Sequence, residues 1–282
     1  YLPGRRGERR ETLLVDGISG TAEAILLLPG PTYLPLFAAL AAGGFFVSFL
    51  FSFYVGAAVS ALVTLVLLLA WLWESGLRHE PEADDAGRGT RLQPHAATAR
   101  PPGWWGMVFT LVADAALFAS LAFGYLFLGA IAPNWPPPRT IAPDPLLPAL
   151  IAAALIAGAA AAWRAASVNR TGAARGARRW LGLAVASGAA ATGAFLAVPL
   201  VLAPPPQEHA YGAAVAALCG YGALHAFLAA LAAGFAWARD RAGYVSARRA
   251  LDLDNADLLW RFTAGTGLVI LVLVHLLPLA AR

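Results

Sequence analysis

Apolar residues in this chain come in long blocks separated by polar breaks, and the blocks set the expected architecture. The most continuous one, Trp104 to Gly129 (WWGMVFTLVADAALFASLAFGYLFLG), runs 26 residues with a single charge, Asp114. A run of that length crosses a bilayer as a helix. Similar blocks predict spans at about 33–54, 57–74, 146–165, 179–202, 209–238 and 257–279, which with 104–130 makes seven. Only a short turn near 54–56 separates the first two, so they form an antiparallel hairpin. The fourth and fifth blocks, with IAAALIAGAAAAW and LGLAVASGAAATGAF, are mostly Ala and Gly. Such small residues let helix backbones approach closely inside a membrane.

The breaks divide the chain into four parts. Residues 1–31 are a mixed N-terminal linker on the cytoplasmic side, where Arg5, Arg6, Arg9 and Arg10 alternate with Glu8 and Glu11. Pro29, Pro31 and Pro35 stop any helix before the first span. Residues 32–74 hold the two-helix transmembrane hairpin. Residues 75–103 are rich in charge, Pro and Gly with no periodic apolar face, and read as a loosely packed cytoplasmic linker. Residues 104–282 hold a five-helix transmembrane bundle. The expected fold class is therefore an all-α integral membrane protein, a two-helix hairpin plus a five-helix bundle.

Composition agrees. Of the 282 residues 59% are hydrophobic and 13% charged, where a soluble domain would be about a quarter charged. The net charge of +4 comes from arginine, since the chain has no lysine. In so apolar a chain it bears on topology and anionic lipid and not on nucleic acid. Counted by successive segments outside the spans, the arginines alternate 4, 0, 4, 1, 5, 0, 4, 1, with Arg261 just inside the last span. Arginine-rich loops stay inside, so the N-terminus is expected in the cytoplasm and the C-terminus outside. Trp71, Trp73, Trp104, Trp105, Trp163, Trp180, Trp237 and Trp260 fall at the arginine-rich ends, and Trp135 at the other. That is the distribution of an interfacial aromatic belt. Trp71, Trp73, Arg78, Trp104 and Trp105 are the expected anchors to lipid or to an interface. The lone Cys219 excludes a disulfide framework. The sequence opens without Met and without a secretory signal, so the chain is expected to be processed or a piece of something longer.

The chemistry is sparse. Of His79, His95, His209, His225 and His275, only His225 and His275 lie within spans, on different helices at different depths. Haem or copper needs converging imidazoles or thiolates, and no such set is present. No phosphate loop, HExxH or GxSxG occurs. No metal site and no catalytic set are expected. The Asn169-Arg170-Thr171 sequon falls on the expected cytoplasmic side and is discounted.

Asp114 is different. At 1.5 Å per residue it lies roughly 15 Å in from Trp104, near the middle of a hydrocarbon layer about 30 Å thick. A charge there costs at least about 3 kcal/mol on insertion scales and so faces protein or water. Its carboxyl is either proton-linked or a contact to a partner subunit, or else a protonated acid bonded to a neighbouring helix, for example to a hydroxyl. His225 in YGALHAFLAAL is a candidate partner, or a hydrogen-bonded packing histidine. Arg261 stands one helical turn from Asp257 and reads as an interfacial pair. His275 reads as polar anchoring near the outer surface.

Several strings, in order and spacing, resemble subunit III of the haem–copper cytochrome oxidases. The resemblance runs from about residue 29 to the end. PGPTYLPLFAAL looks like that family's proline-containing lead-in to its first helix. WWGMVFTLVADAALF is similar to the third-helix signature, Gly-Met followed by an acid eight residues after the Gly, here Gly106, Met107 and Asp114. Asp stands where the family usually has Glu. APNWPPPRTIAPDPLLPAL resembles the Trp-Pro-Pro loop and the start of helix four. Tyr211-Gly212 and Leu224-His225 look like the sixth-helix pattern, and Trp260-Arg261-Phe262 matches Trp-His-Phe at the last helix. Residues 5–30 look like the connecting segment of bacterial forms in which subunit I is fused to subunit III. The chain departs from the family at Gly222, Arg261 and Ala264, and has no acid on helix five.

The resemblance implies a non-catalytic component of a bacterial terminal oxidase, in the inner membrane and in the aerobic respiratory chain. It implies a lipid-holding cleft between helices one–two and three–seven, and support of proton uptake and durability in the core. It also implies that subunits I and II are the partners, and that haem and copper reside in them with none bound by this chain. Asp114, His225 and Arg261 would be the proton-linked or interface residues. The alternatives are the matching subunit of a quinol oxidase or of a nitric oxide reductase-associated homologue, and a small proton-coupled transporter.

Overall fold

The structure is a computed structural model that describes residues 11–27, 31–74, 84–85, 91–92, 100–132, 134–137 and 145–280. The chain divides into two compact units, Tyr1–Ala99 and Arg100–Arg282.

The first unit holds a short hairpin of β1 (Glu11–Val15) and β2 (Ala22–Leu27), paired antiparallel with Leu13 opposite Ile25. These strands lie in the segment expected to be a mixed linker, and they add a small sheet to the expected all-α class. Their cause is local: Asp16 Oδ1 accepts the amides of Ile18 at 2.8 Å and Ser19 at 2.6 Å, and Gly20 takes a left-handed φ of 68° to close the turn. Backbone amides bonded to the carboxylate hold the Asp16 pKa below its ordinary value. Ala24 and Ile25 on β2 are buried. A second pairing joins the two-residue strands β3 (Asp84–Asp85) and β4 (Arg91–Leu92).

The same unit contains α1 (Leu34–Leu50) and α2 (Tyr54–Glu74). Both are apolar nearly all round, with Phe37, Phe46, Phe49, Val59 and Leu62 exposed, as helices facing lipid are. The turn between them lies three residues earlier than expected, because Ser52 takes a left-handed φ of 56° and ends α1. At 17 residues α1 is shorter than a full span. Six helices among the described residues are long and apolar enough to cross a membrane, in place of the expected seven.

The second unit contains α3 (Pro102–Ile131), α4 (Leu146–Arg170), α5 (Ala174–Leu202), α6 (Ala210–Arg241) and α7 (Leu251–Leu271). The last continues through a π turn, Val272–Leu276, into α8 (Leu277–Ala280). Proline opens α3 and α4, where a missing N–H costs nothing. His209 caps α6 by accepting the Tyr211 amide on Nδ1 at 2.9 Å. Asp252 and Asp254 sit in the first turn of α7 and complement its dipole.

Alanine carries the packing: Ala161, Ala162, Ala165, Ala177, Ala184, Ala229 and Ala233 are all buried. They let α4, α5 and α6 approach closely. Trp260 belongs to this interior, fully buried, and not to the interfacial belt. Its ring occupies the space left by Gly158 of α4 and Gly188 of α5. The chain is a multi-pass, predominantly helical membrane protein.

Candidate functional site

Asp114 lies midway along α3, and the residues it meets come from α6. Asp114 Oδ2 accepts the Tyr221 hydroxyl at 2.9 Å and lies 2.6 Å from His225 Nε2. Tyr221 and His225 are four residues apart, so one face of α6 presents both. Their rings stack at 4.0 Å between centroids, which fixes the imidazole plane toward α3. Phe118, one turn beyond Asp114, packs on Tyr221 at 5.3 Å, and Phe262 of α7 stands 6.0 Å from His225. Asp114 retains 20% side-chain exposure and His225 9%. The carboxyl therefore sits at the edge of the α3–α6 seam with its partner inside.

Hydrogen-bond chemistry fixes the proton count. His225 Nδ1 lies 2.9 Å from the Tyr221 carbonyl oxygen. A carbonyl only accepts, so Nδ1 carries a proton. The Tyr221 hydroxyl donates to the carboxyl. Between Asp114 Oδ2 and His225 Nε2 there is then one proton, held as carboxylic acid with neutral imidazole or as carboxylate with imidazolium. The pair is neutral overall in both forms. That limits the cost of a charge at this depth, and a proton that changes owner across 2.6 Å leaves the net charge of the pair unchanged.

Arg261 does not join this group. Its Nε and Nη2 donate to both oxygens of Asp257, at 2.9 and 2.7 Å. Among the described residues it is one of four arginine–aspartate pairs near the same end of the second unit. Arg170 of α4 binds Asp254 of α7 at 2.9 Å, and Arg239 of α6 binds Asp252 of α7 at 2.7 Å. Arg178 of α5 binds the buried Asp240 of α6. Three of the pairs tie one helix to another. Asn169, of the discounted sequon, is buried and donates to the Ser246 carbonyl at 2.9 Å.

The expected anchors are placed as follows. Trp105 is exposed on α3, and Trp104 lies half-buried against it at 5.0 Å. Trp71 and Trp73 are half-buried at the end of α2, and Arg78 lies outside the described residues. His275 is buried within the π turn, with neither ring nitrogen bonded, which corrects its reading as a surface anchor. Trp135 packs on Tyr125 at 5.2 Å and Tyr211 at 5.1 Å, closing the opposite end of the bundle. Among the described residues no group of three or more His, Cys, Asp or Glu side chains is placed to hold a metal ion.

Tyr221 is the member that sequence reasoning did not single out. The signal was its position one helical turn before His225, on the same face.

No model of a known protein family matches the chain. It is similar to the cytochrome c oxidase subunit 3 of Synechocystis, with 26% identity over 174 residues that cover 61% of this chain and 75% of that protein. The chain is thus a distant relative of the subunit III family, the one its sequence resembles, and the relation supports a subunit III-like role in a terminal oxidase.

Proposed function

We propose that this chain, as a relative of cytochrome c oxidase subunit 3, is a non-catalytic component of a bacterial terminal oxidase. It packs beside subunits I and II, which carry the haem and copper. It lies in the inner membrane with its N-terminus in the cytoplasm, in keeping with the arginine alternation. It supports proton uptake, lipid binding and the stability of the subunit I core during aerobic electron transport. The observation that carries the mechanistic part is the Asp114–His225 contact at 2.6 Å, with the Tyr221 hydroxyl donating to the same oxygen.

In this reading the carboxyl at the edge of the seam exchanges a proton with its surroundings and His225 buffers it. Tyr221 keeps the carboxyl turned toward the imidazole. Asp114→Asn keeps the shape and removes the exchangeable proton. In the assembled oxidase the expected result is lower proton pumping or a shorter working life at unchanged haem content. Unchanged pumping and lifetime would remove the role assigned to Asp114.

A proton-coupled transporter would use the same pair, so that contact alone does not separate the two. The relation to subunit III favours the oxidase. Isolation of the chain from its native membrane decides: co-purification with a haem absorption spectrum is expected. Solute uptake by the chain alone in liposomes would point to the transporter.

A further inference from the structure

We propose that Arg164, held between Trp163 and Trp180 where α4 and α5 meet, binds the phosphate of an anionic phospholipid. The first support is depth. Leu146 to Trp163 is 18 uncharged residues of α4, and Leu181 to Leu202 is 22 of α5. At 1.5 Å per residue these are roughly 27 and 33 Å, close to the roughly 30 Å hydrocarbon thickness. Trp163 and Trp180 thus mark one boundary on two antiparallel helices, and Arg164 begins on the headgroup side of it. Tryptophan favours that level.

The second support is what Arg164 has and lacks. Its guanidinium lies 5.7 Å from the Trp163 ring centroid and 5.9 Å from that of Trp180. Both distances are within the reach of a cation–π contact. Neighbouring Arg170, Arg178, Arg239 and Arg261 each have an aspartate. Among the described residues no carboxylate stands within ion-pair distance of Arg164. The side chain is exposed, as is Trp163. With the rings beside it and no carboxylate on it, the guanidinium keeps its planar N–H fork for a ligand, and that fork is the group that takes phosphate oxygens two at a time. Exposed Arg175 and Arg179 on the first turns of α5 add positive charge on the same side of the membrane, which draws anionic lipid to it. The site is independent of the Asp114 reading.

The test uses the full chain, with whatever subunits co-purify, reconstituted in phosphatidylcholine containing a minor share of phosphatidylglycerol. The retained lipids are weighed by mass spectrometry after mild detergent exchange. The wild-type chain is expected to retain phosphatidylglycerol above its bulk share. Arg164→Gln returns it to the bulk share, Arg164→Lys keeps part of the excess, and Trp180→Leu loses part of it. Inorganic phosphate in the wash leaves the excess in place. Displacement by inorganic phosphate would instead assign a free-phosphate site and overturn the proposal. So would an unchanged excess in Arg164→Gln, or loss of a partner chain with the lipid intact. If Arg164→Gln does not reconstitute, unchanged excess in both Arg164→Lys and Trp180→Leu refutes it equally.

Discussion

Gly158→Ala is the substitution on which the packing argument is most exposed. By helix propensity alone it stabilises α4, since Ala is favoured over Gly by about 1 kcal/mol in a helix interior. In this bundle the new methyl would stand 2.8 Å from Cε3 of Trp260 and closer still to Cζ3 and Cη2. The ring cannot simply retreat. It is fully buried, and the Cβ position of Gly188 lies 3.1 Å from its Cζ2. Overpacking of this kind costs roughly 1–3 kcal/mol. Three ring atoms within contact place it toward the upper part of that range. The expected net effect is a loss of about 1–2 kcal/mol after the propensity gain. Gly193→Ala on α5 is the control, because nothing lies within 4 Å of its Cβ position. It is expected to be neutral or to gain up to about 1 kcal/mol. Adding Trp260→Phe to Gly158→Ala removes the crowded ring edge, and the two changes should couple favourably by at least about 0.5 kcal/mol. The measurement is unfolding in mixed micelles with increasing SDS, followed by far-ultraviolet circular dichroism. Equal stability of Gly158→Ala and Gly193→Ala, or strict additivity in the double variant, would refute the lodging of Trp260 against Gly158.

Other outcomes follow from the polar contacts. Tyr221→Phe removes one donor from Asp114 and should cost about 1 kcal/mol. It should also shift the infrared carboxyl band that vanishes in Asp114→Asn, and a band unmoved by Tyr221→Phe argues against the contact. Arg178→Gln strands the buried Asp240 carboxylate and should cost about 3 kcal/mol. Arg170→Gln breaks a pair whose side chains are 57% and 24% exposed and should cost no more than about 1 kcal/mol; equal losses in the same SDS titration would contradict the burial difference. Asp16 has a folded pKa below its ordinary 3.8. Its carboxylate therefore stabilises the β1–β2 turn fully above the ordinary value, and that contribution is lost as pH falls through the lowered one. The Ser19 amide resonance should follow that titration in the wild type and stay flat in Asp16→Ala.

Much of the helical plan was legible because apolar blocks in a membrane protein have few alternatives. The rotation of each helix was not. Asp114 announced itself by depth, but its neighbour depends on which face of α6 turns toward α3. That face is chosen by Ala and Gly contacts all round α6, which leave no strong apolar stripe to read. Trp260 was misplaced because α7 begins at Leu251 and not near 257. The indole therefore sits in the third turn, over two glycines on other helices that no local pattern connects to it. The β1–β2 hairpin was missed although Asp16-Gly17 and the later Gly20 are ordinary turn signals. The flanking strands are short and were read together with the charged segment before them.

The Asp114–His225 pair raises a choice that geometry sharpens. If the pair served packing alone, a neutral hydrogen-bonded couple would gain little over two apolar side chains, since buried polar pairs are often replaceable without loss. On the proposed reading, an acid and a base sharing one proton at 2.6 Å add what apolar residues lack, a proton that can change owner while the pair stays neutral overall. On the same reading, the exposed side of Asp114, 20% against 9% for His225, is the side from which that proton would arrive. Phe118 packs on the Tyr221 ring and Phe262 stands near His225, and neither side chain offers a competing acceptor. The arrangement is therefore asymmetric, with one donor–acceptor couple, one orienting hydroxyl and apolar walls. That asymmetry is why Asp114→Asn separates the two roles. It keeps the size of the side chain, and on the proposed reading it removes the exchangeable proton.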